Sequence, residues 1–195
     1  MKPPSLPGLF SALADHSLPE GFKYQPGLIT AAAETELVRQ IERLRLKEFQ
    51  FHGFTGRRRV ISFGWRYDFN DRELQKADDI PPFLLPLRDR AAAFAGLSAT
   101  DLRHVLVTEY APGAAIGWHR DKGVFNEVIG VSLVSPCRFR FRRKRGQTWE
   151  RADLTAEPRS AYLLSGPARS EWEHSIPPVD QLRYSITFRN LNDKR

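Results

Sequence analysis

The sequence predicts an α+β chain, mainly β, in which two amphipathic helices precede a series of short antiparallel strands. Three observations predict it. Apolar residues recur at helical spacing within residues 31–47 and again within 82–94. From residue 104 onward the pattern changes to period two, in short runs broken by Gly, Pro, Asn and Asp. The chain has 195 residues, which suits one domain with a full core and leaves little room for a second.

Taken in order, residues 1–26 are rich in Pro and Ser and read as a loose arm, and residues 27–195 read as a single domain. The first helix is expected over 31–47, with Thr30 as its N-cap and Leu37, Ile41 and Leu44 as its buried stripe. The second is expected over 82–94, opened by Pro81 and Pro82, with Phe83, Leu84, Leu87, Ala91 and Phe94 along one side. Between them residues 51–71 combine glycines, aromatics and the run Arg57, Arg58, Arg59, and read as loops. Strands are expected at 104–109, 129–134, 138–142, 161–164, 171–175 and 183–190, an arrangement that reads as a sandwich or barrel.

Charge and cysteine usage narrow the class. Lys and Arg number 30 against 23 Asp and Glu, a formal net charge of +7 that suits a polyanionic partner. Cys137 is the single cysteine, so no intrachain disulfide forms and a reducing compartment is expected. No apolar run is long enough to span a membrane and the N-terminus does not read as a signal peptide, so a cytoplasmic monomer with no membrane partner is the expectation.

The chemistry is concentrated in two stretches, TEYAPGAAIGWHRD at 108–121 and HSIPPVDQLRYSITFR at 174–189. In an extended chain His119 and Asp121 project to the same side, close enough to share one ion. His174 is the best third ligand, because two His and one carboxylate form the facial triad of non-haem Fe(II) sites. His16, His52 and His104 have no carboxylate at that spacing and read as surface or structural residues. The later stretch alternates Arg183, Ser185, Thr187 and Arg189 against Tyr184, Ile186 and Phe188, as in a half-buried strand. Its arginines are separated by roughly 20 Å of strand. They suit a small dicarboxylate approached from opposite ends, and beside Fe(II) that acid is 2-oxoglutarate.

With these residues the chain resembles the AlkB family of Fe(II)/2-oxoglutarate dioxygenases from about Gly27 onward. The motifs that carry the resemblance are Tyr110, Pro112 and Gly113 followed by His119-x-Asp121, then His174 and the strand RYSITFR. It implies a double-stranded β-helix, or jelly roll, with Fe(II) held by His119, Asp121 and His174. It implies that Tyr110, Thr108, Arg183, Ser185 and Arg189 hold 2-oxoglutarate, Arg183 at the carboxylate far from the metal. Thr108 stands where the family often has Asn, and Gly123 where some DNA-repair members have an acidic residue.

The resemblance further implies that residues 51–71 recognise substrate over the iron site, through Arg58, Arg59, Trp65 and Tyr67, with Arg169 at the rim. Arginines neutralise phosphates and Trp65, Tyr67 or Phe69 offers a face for an unpaired base. The implied reaction is oxidative removal of an alkyl group from a nucleobase nitrogen in DNA or RNA, single-stranded or with the base flipped out, using O2 and releasing succinate, CO2 and formaldehyde. Rival readings are a protein or tRNA-nucleoside hydroxylase or demethylase on the same scaffold, and a non-catalytic nucleic-acid-binding jelly roll.

Overall fold

A computed structural model describes residues 18–51, 54–68 and 73–192. Its elements in chain order are β1 (Phe22–Gln25), α1 (Ala31–Ile41), β2 (Lys47–Phe51), β3 (Phe54–Phe63), β4 (Trp65–Asp68) and β5 (Glu73–Lys76). A 3-10 turn at Pro82–Leu84 leads into α2 (Leu85–Ala95), followed by β6 (His104–Tyr110), β7 (Ile116–His119) and β8 (Phe125–Leu133). The remainder is β9 (Cys137–Arg145), β10 (Thr148–Ala156), β11 (Ala161–Leu164), α3 (Gly166–Ser170), β12 (Glu173–Ile176) and β13 (Arg183–Leu191).

The strands form a seven-stranded sheet in the order β1-β11-β8-β13-β6-β3-β2 and a four-stranded sheet in the order β10-β9-β12-β7. Every described pairing is antiparallel, and the order shows the chain crossing between two sheets, the jelly roll that the resemblance implies.

The period-two pattern of β13 decides what lies on each side of the large sheet. Tyr184, Ile186 and Phe188 join Val105, Val107, Ile129, Val131 and Leu133 in one core, which α1 and α2 cover with Leu37, Ile41, Leu87 and Ala91. Arg183, Ser185, Thr187 and Arg189 point the other way, toward the small sheet. That sheet supplies Phe139 and Phe141, each 1% exposed, to a second core shared with Tyr110, Val128 and Tyr162 of the large one. Burial of two such side chains stabilises the packing of the sheets by about 2 to 3 kcal/mol apiece. Because both faces are covered, β13 is buried throughout Arg183–Arg189, not half-buried as its alternation suggests.

Several expectations are corrected. The first helix stops at Ile41; Leu44 and Leu46 still pack on the core from the chain beyond it, and residues 47–51 become a strand. The apolar spacing therefore runs past the helix end without requiring helix. Residues 22–25, expected within the loose arm over 1–26, are instead strand: β1 pairs with β11 and sets Phe22 against Phe141 at 5.0 Å between ring centroids, while residues 1–17 lie outside the described residues. Residues 51–71 are mostly strand, with β3 paired to β6 along Arg58–Phe63. Phe69, His16 and His52 lie outside the described residues. Strands β7 and β10 are absent from the sequence expectation, since Gly117 interrupts the first and Trp149 and Glu150, apolar outside and charged inside, break the alternation of the second.

One close approach locks two neighbouring strands in register. On β8, Gly130 pairs with Tyr162 of β11, and the phenol lies across the glycine so that a Cβ there would sit 2.1 Å from its Cζ. Gly130→Ala is expected to cost about 1 to 3 kcal/mol through overpacking. Tyr162→Ala should absorb most of that loss, so thermal melts of the two single variants and the double will be strongly sub-additive; additive losses would contradict the contact.

Candidate metal and cosubstrate site

Four strands converge on the space between the sheets. Antiparallel pairing of β7 with β12 places His119 directly opposite His174. Strand β7 ends at His119, and Asp121 follows two residues on in irregular chain. One donor atom from each of His119, Asp121 and His174 lies within 4.8 Å of the others, a spacing at which three groups can share one ion. The donor set, two imidazoles and one carboxylate, is the facial triad of non-haem Fe(II).

Neighbouring groups orient all three donors. Nδ1 of His119 donates to the Gly117 carbonyl at 2.9 Å, which leaves Nε2 as the free lone pair. His174 stacks on Phe139 with ring centroids 5.4 Å apart, and its Nε2 lies 3.5 Å from Asp121 Oδ2. Arg189 grips the other carboxylate oxygen, donating from Nε at 3.0 Å and from Nη2 at 2.7 Å. Behind it, Arg189 Nη1 approaches His104 Nδ1 at 3.3 Å, and Phe125 packs beneath both.

The second arginine of β13 is placed quite differently. Arg183 is fully buried, beneath no carboxylate; its Nε donates to Ser132 Oγ at 3.2 Å and its plane lies over the Tyr110 ring at 4.9 Å. Both terminal nitrogens, Nη1 and Nη2, are buried with no hydrogen-bond partner among the described residues. An unpaired buried guanidinium is costly, and a carboxylate presented to its fork removes that cost with two charge-assisted bonds. Thr108 and Ser185 face each other in register beside it, and Tyr110 is register partner of Arg183 itself. The cavity face thus offers three metal donors at one end and an anion fork at the other.

A family model for the 2OG-Fe(II) oxygenase superfamily matches residues 21–189. The chain belongs to that superfamily. Within it the dioxygenase is AlkB-like. It is 27% identical over 191 residues to the alkylated DNA repair protein ALKBH8 homolog of Arabidopsis thaliana, across 85% of this chain and 54% of that protein. To the mitochondrial alpha-ketoglutarate-dependent dioxygenase alkB homolog 7 of Bos taurus it is 30% identical over 155 residues, across 78% of this chain and 65% of that one. The chain therefore spans between about half and two-thirds of these relatives' lengths. The solved structure of OsALKBH1 has the same fold, with a TM-score of 0.69 at 16% identity over 89% of this chain and 98% of that one. Fe(II), 2-oxoglutarate and O2 are the metal and cosubstrates of the superfamily, and the donor set and the unpaired Arg183 fork of the dioxygenase fit them.

The expected substrate residues separate into two groups. Arg58, on the same sheet face as Tyr110, is half-buried with its guanidinium over Phe49 at 4.5 Å and near the Tyr110 ring at 6.0 Å. Tyr67 stands at the rim, with the Lys122 ammonium 5.4 Å from its ring centre, and Trp65 begins the same strand. Arg59 is not brought to the site. One residue along β3 it points to the opposite face, in a bidentate pair with Glu109 at 2.7 Å for both bonds. Arg169 faces inward and donates to the carbonyls of Lys122 and Phe125 at 2.6 and 2.8 Å, which straps down the loop after Asp121.

Three contributors to the dioxygenase site are not marked by any sequence motif. Tyr162 is buried between the sheets, and burial pushes its phenol well above the ordinary range although Arg183 acts against it. Ser132 anchors Arg183, and His104 backs Arg189. Ser132 and His104 are register partners of Ser185 and Arg189, and Tyr162 lies one strand further out on β11, so all three depend on strand register.

Burial, and then the field of neighbouring cations, sets the protonation of the metal-free site. Burial first and His119 second push the His174 imidazole down to about 3. Burial and Arg189 hold His104 well below its ordinary value of 6.5. At Asp121 burial works upward, but Arg189, His174 and His119 outweigh it and keep the carboxyl well below 3.8. In each case the unfolded chain takes up a proton that the fold refuses. Stability of the metal-free protein is therefore complete above about pH 6.5 and falls on acidification, first through the two histidines, each by at most about 1.4 kcal/mol per pH unit, and below about pH 4 through Asp121 as well. Melting temperatures measured with a chelator across this range check it; a stability that rises between about pH 7 and pH 5 would contradict it.

Proposed function

We propose that the protein oxidatively removes alkyl groups from nucleobase nitrogens in DNA or RNA, releasing succinate, CO2 and formaldehyde. One observation carries the oxidative part of this reading: a buried guanidinium with two unpaired nitrogens lies in the same compartment as a two-His, one-carboxylate cluster. When bound, Fe(II) supplies activation of O2 coupled to decarboxylation of 2-oxoglutarate. His119, Asp121 and His174 hold the ion in this reading. Arg183 binds the carboxylate of 2-oxoglutarate far from it, with Tyr110, Thr108 and Ser185 lining the path between. Arg189 keeps Asp121 ionised and turned inward, and also borders the near end of the cosubstrate. Arg169 holds the loop that closes this end.

The nucleic-acid part is supported by the rim and by the overall charge. Arg58 has no carboxylate partner among the described residues, and so remains a phosphate donor; Tyr67 and Trp65 offer aromatic faces for a base outside its stack. The net charge of +7 favours a polyanion, and one relative is named as an alkylated DNA repair protein. Incubation of the iron-loaded protein, 2-oxoglutarate and ascorbate with methylated DNA, transfer RNA and protein pools tests it. Formaldehyde release with loss of a methylated nucleoside from a nucleic-acid pool is the expected result. Oxidation confined to the protein pool would replace the reading with a protein hydroxylase.

A further inference from the structure

The outward face of the four-stranded sheet carries a pattern that neither core nor catalysis uses. Because Phe139, Phe141, His174 and Ala152 point inward, the alternate residues lie on the outer side: Trp118 on β7, Glu173 and the covered Ser175 on β12, Arg138, Arg140, Arg142 and Lys144 on β9, and Trp149, Arg151 and Asp153 on β10. The cations outnumber the carboxylates. Arg138 pairs with Asp153 and Arg142 with Glu173, whereas Arg140 bonds only the neutral Ser175 Oγ, and Lys144 and Arg151 have no ion-pair partner among the described residues. Two aromatic planes are interleaved with them. Arg140 and Arg142 lie over Trp118 at 5.0 and 4.6 Å, and Arg142 also meets Trp149 at 4.5 Å. Trp149 remains 42% exposed, unusual for a tryptophan with no structural duty.

We infer that this face binds the single-stranded nucleic acid that flanks the target base, resting on the nucleic-acid reading above. Unpaired cations between indole rings match a polyanion whose units each carry a stackable base, since phosphates engage Arg140, Lys144 and Arg151 while bases lie on Trp149 and on the outer side of Trp118. An acidic peptide would satisfy the charges and leave the indoles unused. The position is also right. Trp118 immediately precedes His119, so the face ends at the edge strand that bears the first metal donor, and a strand leaving the mouth passes round that edge onto the indoles. The three strand spacings from β7 to β10 cover about 14 Å, room for two or three nucleotides.

Fluorescence anisotropy of the full-length protein with labelled RNA and DNA single strands tests this, comparing strands of about 20 and about 4 nucleotides. The variants are Lys144→Glu with Arg151→Glu, and Trp149→Ala; Arg43→Glu with Arg45→Glu, on the helix-covered side of the molecule, makes the same change of net charge elsewhere. The expected result is a loss of at least tenfold in affinity for the long strand with the first two variants, and a long-to-short affinity ratio that collapses toward one. The slope of log affinity against log salt should become shallower by about 1.4 for the charge variant, and the Arg43/Arg45 variant should lose much less. If wild type binds the long strand and the face variants match it, or the Arg43/Arg45 variant loses as much, the inference is overturned while the functional reading stands. Equal competition by a polyglutamate peptide overturns it too. If wild type binds and oxidises no nucleic acid, the functional reading itself fails.

Discussion

Arg183→Met is expected to raise the 2-oxoglutarate concentration for half-maximal turnover by about a hundredfold or more, without weakening the fold. The two effects have one cause. In the absence of cosubstrate Arg183 is a desolvated cation with a single hydrogen bond, to Ser132, so its removal relieves a burden on the metal-free protein. In the complex the same guanidinium faces a carboxylate, and truncating one member of a buried charged pair costs roughly 2 to 5 kcal/mol. Methionine fills a similar volume with a flexible apolar chain that can pack on the Tyr110 ring the guanidinium now covers. Steady-state kinetics with varied 2-oxoglutarate, together with a melting curve of the metal-free protein, measures both. An unchanged KM for 2-oxoglutarate, or a fold that collapses with KM intact, would show that Arg183 serves packing and not the cosubstrate.

Asp121→Ala and His119→Ala are both expected to abolish iron-dependent succinate formation, yet to differ sharply in stability. Asp121 is bound by two bonds from Arg189, and the side chains of Asp121 and Arg189 are 8% and 10% exposed. Its loss leaves a buried guanidinium with His104 as its one polar neighbour among the described residues, at a cost of roughly 3 to 5 kcal/mol. The His119 ring gives up one bond to the Gly117 carbonyl and a contact with His174, so His119→Ala should shift the metal-free melt by much less. Succinate assays and chelator-treated melts separate the roles. Comparable destabilisation by both substitutions would show that the Arg189 pair contributes little to the fold.

How much of the fold and site is legible in the sequence depends on the range over which each feature is written. The His-x-Asp spacing is local, and the alternation of RYSITFR assigns Arg183 and Arg189 to one face wherever that strand lies; both survive in the fold. Arg58 and Arg59 show the limit. They are neighbours in a basic run, and only the pairing of β3 with β6 sends the first toward Tyr110 and the second to Glu109 on the far side. Tyr162, Gly130, Ser132 and His104 come from three strands brought together by register, so nothing near them in the chain marks their role. The helix expected over 31–47 is too long for the opposite reason. Leu44 still packs, partly buried, on the core beyond the last helical turn, where apolar spacing alone does not distinguish helix from the loop after it.

Strand β13 is held by pairing on both sides, to β6 and to β8. Arg183 and Arg189 belong to the centre of the large sheet, whereas Tyr67 and Trp65 belong to a two-stranded ribbon outside both sheets. The division suits the proposed reaction, in which one cosubstrate is fixed and the bases differ.

The most direct measurement is a crystal structure grown without oxygen, with Mn(II) in place of Fe(II) and with 2-oxoglutarate. The predicted result has the ion bound at about 2 Å by Nε2 of His119, an oxygen of Asp121 and Nε2 of His174, and the far carboxylate of the acid on both terminal nitrogens of Arg183. An ion seated elsewhere, or an acid whose carboxylate leaves those two nitrogens bare, would contradict the account.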